Sequence, residues 1–203
     1  MTNPSAPLPR RDFLGGLAFA GAALAAPVGL PAFTADARRD PADWDHHWLK
    51  QLKAKHRTFF DTPAWNGGDA FGYPGRYLDA MRDGYGAPVD AVLVVIGLHG
   101  ATWPLAVDDE RWNRYQLGKV AGVDDVQAKA RSLAEIQKRG AMVLVCNNSM
   151  RRGSRELAAA MPGGDAEKIY TDLRAGVLAN IVVVPAMIAA AALAQEHGCS
   201  YIG

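Results

Sequence analysis

The sequence predicts a single α/β domain: a three-layer α/β/α sandwich around a mostly parallel sheet of about five strands. Three observations lead there. Short, continuously apolar runs recur along the chain, as strands buried on both faces require. Helical patterns of apolar residues lie between them, and the connections are short and marked by Gly and Pro. No segment repeats at a fixed period, so solenoids and propellers are set aside.

Arg57-Thr-Phe-Phe60 is the first, weaker strand. A helix over Pro74–Gly86 follows, with Tyr77, Leu78, Met81 and Tyr85 on one side and glycines at its end. Ala91–Leu98 is the second strand. Asp108-Asp109-Glu110 precede Arg111-Trp112-Asn113 and fit the first turn of a helix, where carboxylates meet the positive end of the helix dipole. Asp125–Arg139 predicts a helix stopped by Gly140, and Ala141–Cys146 a third strand running into another helix. Pro162–Lys168 forms a turn-rich joint before helical Ile169–Arg174. Ile181–Val184 is the fourth strand. Pro185–His197 has Pro in its first turn and Gly198 beyond its end, the usual asymmetry of helix boundaries. Ser200-Tyr-Ile202 closes the sheet.

The chain opens differently. Arg10 and Arg11 lie in Pro9-Arg-Arg-Asp-Phe-Leu14, followed by a weakly apolar Gly/Ala-rich stretch to Leu30 and small residues at Ala35-Asp36-Ala37. This is the layout of a removable bacterial signal, and the paired arginines favour the twin-arginine export route. Residues 1–37 are thus expected to be a signal peptide, which predicts a periplasmic protein with no stable membrane span after cleavage. Residues 38–55 read as a linker ending in a short helix, with Trp44, Trp48 and Leu52 spaced to share one face. Residues 56–203 are the folded domain.

Composition excludes several classes. Lys and Arg total 22 against 21 Asp and Glu, so no basic field exists to hold nucleic acid. Two cysteines, Cys146 and Cys199, make no disulfide framework. They are expected to lie at opposite ends of the sheet, too far apart to bridge. The sequence has no Gly-x-x-x-x-Gly-Lys phosphate loop, Gly-x-Ser-x-Gly elbow, Cys-x-x-Cys pair or His-Glu-x-x-His pair.

In open parallel sheets ligands bind beyond the carboxyl ends of the strands. That rule selects Asp61 and the Pro63–Gly72 loop after the first strand, Leu98-His99-Gly100 after the second, Cys146-Asn147-Asn148-Ser149 after the third and Pro185-Ala186 after the fourth. A thiol at a strand end, just before a helix, meets backbone amides and a helix dipole that favour the thiolate. Free cysteine is also a common space-filler, and both readings stand for Cys146. His99 fits a proton donor or acceptor, or a structural hydrogen bond. Asn147 and Asn148 fit ligand contacts or a turn and cap. Arg151 and Arg152 fit exposed surface charge better than an anion hold. His46 and His47 point apart on a helix and fit a solvated face better than a metal site.

Lys55–Asp61, Val92–Gly100, Leu133–Asn148, Ile181–Met187 and Gly198–Ile202 together resemble the DsrE/DsrF-like family. The likeness spans nearly all of the expected mature domain. It implies a compact α/β sheet, homo-oligomers and, in the sulfur-relay branch, a cysteine that carries persulfide. Cys146 occupies that position. The leading expectation is therefore a periplasmic protein that binds or relays sulfane sulfur through Cys146, with His99, Asn147 and Asn148 lining the site and a sulfur donor or acceptor protein as partner. The alternative is a non-enzymatic, oligomeric small-ligand-binding or scaffold module. A third reading is a haem or metal protein using His99 or the group His46, His47 and His56. No metal site is predicted, and no motif identifies a cofactor.

Overall fold

A computed structural model describes residues 44–203, except Asp124. The expected signal peptide, residues 1–37, and the first part of the linker lie outside the described residues. Five strands form one parallel sheet in the order β4-β3-β2-β1-β5: β1 His56–Thr62, β2 Val92–Leu98, β3 Met142–Cys146, β4 Ile181–Val184 and β5 Ser200–Ile202. Among the described residues, the α-helices are α1 His47–Lys50, α2 Asp69–Asp79, α3 Asp109–Arg114, α4 Leu117–Ala121, α5 Val126–Lys138, α6 Asn147–Ala160, α7 Ala166–Ala175 and α8 Met187–Glu196.

Strand order fixes the layering. The three connections from β1 to β4 step in one direction, and their right-handed crossovers carry helices to one face. The return from β4 to β5 crosses the sheet the other way, so α8 packs on the opposite face. The side chains follow with period two. Phe60, Val94, Ile96, Leu98, Val143 and Val145 join residues of α2, α5, α6 and α7 in the larger core. Phe59, Val95, Leu144, Cys146 and Val184 meet α8 and the chain ahead of β1 in the smaller one.

The elements differ from their sequence outlines in instructive places. The second helix starts at Asp69, not Pro74, and Pro74 lies buried within it. The missing amide and the ring of an interior proline argue for a helix start, and here the proline is buried inside the helix instead. The helix then runs into a π-turn over Ala80–Gly84. Trp44, Trp48 and Leu52 do not share a face. The helix there is a single turn, so Trp44 packs on the larger core while Trp48 and Leu52 pack on the smaller. The acidic cluster does cap a helix: Asp108 accepts a hydrogen bond from the Arg111 amide at 2.9 Å. Asp165 caps α7 in the same way, through the amides of Glu167 and Lys168. Both cysteines are free. Cys199 lies just before β5, at the amino end of the sheet, where burial raises its thiol pKa against a smaller opposing effect of Arg57.

Polar groups brace the larger core. Lys129 is 1% exposed and donates to the Val107 carbonyl at 2.7 Å, with Asp109 at 3.3 Å and the Trp112 ring beneath it. Burial lowers its pKa, against the opposing pull of Asp109. No helix among the described residues is long and apolar enough to cross a membrane.

Asp172 of α7 ties that helix to α3. It meets Arg111 at 3.1 Å, Arg114 at 2.6 Å and the Tyr115 hydroxyl at 2.8 Å. Burial alone would raise its pKa, but the Tyr115 and Arg114 hydrogen bonds and the two guanidinium charges bring it below the ordinary carboxylate value. A carboxylate with a depressed folded-state pKa contributes stability above its unfolded pKa and loses it as pH falls through the folded value. Asp172→Asn is therefore expected to lower unfolding free energy by about 1–2 kcal/mol at neutral pH. The difference from wild type should shrink below about pH 4, which denaturant melts across that range will check.

Candidate functional site

The carboxyl ends of β1, β2 and β3 meet the first turns of α8 around a cleft of about 530 Å³. Strand parity chooses what faces it. On β1 the side that carries Phe59 also carries Asp61, and Asp61 is in register with Gly97 on β2. Gly97 is in turn in register with Leu144, two residues before Cys146. His99, two beyond Gly97, and Cys146 therefore emerge on the same face, beside α8. All three line the cleft, together with Asn148 and Tyr201.

Cys146 ends β3 and forms part of the cleft floor. Its residue surface is only 4% exposed, and its Sγ accepts a hydrogen bond from the Met187 amide at 3.4 Å. That amide opens α8, a ten-residue helix, so the sulfur faces the positive end of a helix dipole. A second helix, α6, begins at the next residue, Asn147.

His99 is held by its backbone. Its amide donates to Thr102 Oγ1 at 3.1 Å, and the Thr102 hydroxyl lies within bonding distance of the carbonyls of Thr62 and His99. Gly100 has φ +58°, and a Cβ there would stand 2.7 Å from the Pro63 carbonyl oxygen, so this tight turn admits glycine. The imidazole Nε2 lies 2.6 Å from Asp61 Oδ1. This is a close charge contact and not an aligned hydrogen bond, because the buried nitrogen has no partner in bonding geometry. The other Asp61 oxygen accepts a hydrogen bond from the Tyr201 hydroxyl at 2.7 Å. That bond, then burial and the Asp61 charge, raise the Tyr201 pKa and keep the phenol a donor.

Of the residues singled out from sequence, Cys146, His99 and Asn148 come together at the cleft. Asn147 is directed elsewhere: it is 5% exposed and its Oδ1 accepts from the Tyr170 hydroxyl at 2.6 Å, in the layer of α6 and α7. Arg151 also turns that way, with its guanidinium 3.9 Å over the Tyr170 ring and 3.1 Å from Glu167. Arg152 is exposed and meets Glu156 at 3.5 Å. Among the described residues no three His, Cys, Asp or Glu side chains gather as a metal site, and His47 pairs with Asp45 on the surface. The hydrogen-bonded pair Asp61 and Tyr201 also lines the cleft and was not among the candidate site residues. Asp61 was within reach, since the strand-end rule selects it. Tyr201 was not, because its position depends on β5 lying beside β1.

A second hollow of about 420 Å³ lies on the other side of Asp61, against Asn66, Asp69 and Tyr73. It is lined by Asp61 and the loop after it, and contains none of Cys146, His99, Asn147 and Asn148. The first cleft alone joins a thiol, an imidazole and a carboxylate, the set required for proton-coupled nucleophilic chemistry at sulfur.

The floor of the cleft depends on Gly97. A Cβ there would stand 2.6 Å from Met187 Sδ and 2.7 Å from the Phe59 ring. Gly97→Ala is expected to displace Met187, weaken the amide contact to Cys146 and cost about 1–3 kcal/mol of stability. Denaturant melts and the alkylation rate of Cys146 will read the two effects. No protein-family model matches this sequence, and no curated protein matches it significantly.

Proposed function

We propose that this chain is a DsrE-like, exported protein that takes up and passes on sulfane sulfur at Cys146. The observation that carries the reading is the convergence on one cleft of the Cys146 thiol, with a helix-end amide at its sulfur, and the His99–Asp61 pair. The resemblance of the strand-end motifs to that family supports the sulfur chemistry, and the twin-arginine pattern at Arg10-Arg11 supports a periplasmic site of action.

The chemistry follows from the groups present. His99 takes the thiol proton of Cys146, and the adjacent Asp61 carboxylate offsets the positive charge that forms. The Cys146 thiolate attacks the outer sulfur of a persulfide, R–S–SH. One S–S bond forms at Cys146 as the donor S–S bond breaks, and the leaving thiolate R–S⁻ collects the proton held by His99. No net oxidation occurs. An acceptor thiolate then attacks the outer sulfur of the Cys146 persulfide and restores the cysteine. The Met187 amide, directed at the sulfur, favours the anionic forms at each stage.

Intact mass after incubation with a persulfide donor is expected to show one added sulfur on wild type and none at this position in Cys146→Ser. His99→Gln is expected to slow uptake by about 10²–10⁴-fold without changing the product, the usual contribution of a positioned acid–base group. An added sulfur that persists in Cys146→Ser with Cys199 blocked would remove Cys146 from the role.

The low exposure of Cys146 favours one other reading, a homo-oligomeric small-ligand-binding module with a thiol as packing. Helix α8 supports assembly, since its outer surface presents Ile188, 84% exposed. In that case the cleft binds ligand while folded Cys146 resists both alkylation and persulfide formation.

A further inference from the structure

We infer that the cleft admits uncharged, apolar sulfur compounds, such as alkyl persulfides in their protonated form R–S–SH, and turns away anionic donors such as thiosulfate. This inference rests on the sulfur chemistry proposed for Cys146 and names its substrate class.

The wall of the cleft opposite the sheet is the inner and leading edge of α8. It presents Ala186, Met187, Ile188, Ala191 and Ala192. Alanines leave the space, and a volume of about 530 Å³ suits a small molecule with a short hydrocarbon body. Among the described residues that line this cleft there is no lysine or arginine. The nearest candidates by sequence, Arg151 and Arg152, are directed to Glu167, the Tyr170 ring and Glu156. The Asp61 carboxylate does line it, with the His99 imidazole beside it. One donor is directed at the sulfur position, the Met187 amide, and it already serves Cys146.

The electrostatic consequence is specific. A helix end and one amide match a single anion, the thiolate or the persulfide made from it. A donor carrying its own charge brings a second anion to a wall of alanines with no lysine or arginine to receive it and a carboxylate close by. Discrimination then comes from a repulsive, desolvated charge rather than from a better contact to the accepted donor. A neutral R–S–SH loses no such charge on entry, and its R group covers the alanine wall.

The thiol itself reports this selection through two alkylating reagents of similar size, neutral iodoacetamide and anionic iodoacetate. Their rates at Cys146 in the full chain, read by peptide mass so that Cys199 is separate, give a ratio to compare with the urea-unfolded chain. Folding is expected to raise the preference for iodoacetamide by about tenfold or more, the scale of one unfavourable charge contact. Gln195→Lys, on the cleft rim, is expected to return the ratio toward its unfolded value. Ile188→Lys, which is 84% exposed and also lines the cleft, gives the same readout if the first variant folds poorly. An unchanged or reversed ratio would overturn the inference, as would a folded Cys146 inert to both reagents.

Donor assays separate this inference from the reading beneath it. In mildly acidic buffer, where butyl persulfide is protonated and thiosulfate is still an anion, butyl persulfide is expected to load Cys146 faster than thiosulfate after correction for their rates with free cysteine. Equal corrected rates would retain sulfur transfer and reject the selection. A raised alkylation ratio with no loading by butyl persulfide would retain the selection and reject sulfur transfer.

Discussion

The handedness of the crossovers is the constraint from which the rest of this molecule follows. Three consecutive right-handed steps place α2, α5, α6 and α7 on one face, and a single long return leaves the other face to α8 and the short segment before β1. The thinly covered face has room for a hollow at the carboxyl end of the sheet. On the thickly covered face Trp103, Met150 and Tyr170 are packed in the core, and the hollow beside α2 is the smaller of the two.

Strand parity then decides which residues occupy the hollow. Parallel pairing in strict register places Asp61 beside Gly97 and, one step beyond, puts His99 and Cys146 on the same side. A one-residue slip would send the thiol into the larger core and bring Val145 to the cleft. The register is held by continuous apolar packing on both faces and by the polar ties of Thr62 and Thr102 between the first two strand ends. The same features that stabilise the sheet therefore align the reactive groups.

Much of this was legible from residues alone, for physical reasons. Buried parallel strands must be apolar throughout, so Val92–Leu98, Met142–Cys146 and Ile181–Val184 stood out, and their ends located His99 and Cys146. Helix caps such as Asp108 and stops such as Gly140 and Gly198 act locally and are equally plain. What was not legible depends on distance along the chain. Tyr201 reaches Asp61 only because β5 pairs with β1, a partnership no local pattern encodes. Asn147 turns from the cleft because the first residue of α6 meets Tyr170 of α7, a contact set by how two helices pack. Pro74 inside α2 and the split of Trp44 from Trp48 likewise run against local preference.

The polar partner of the thiol belongs to the main chain. The Met187 side chain packs in the smaller core, while its amide faces the Cys146 sulfur. Replacing that side chain with any residue other than proline leaves the N–H in place. A scan that trades one side chain at a time would score position 187 as hydrophobic filling and overlook its electrostatic duty. Only editing the peptide linkage itself, for example as an ester, isolates the part this group plays.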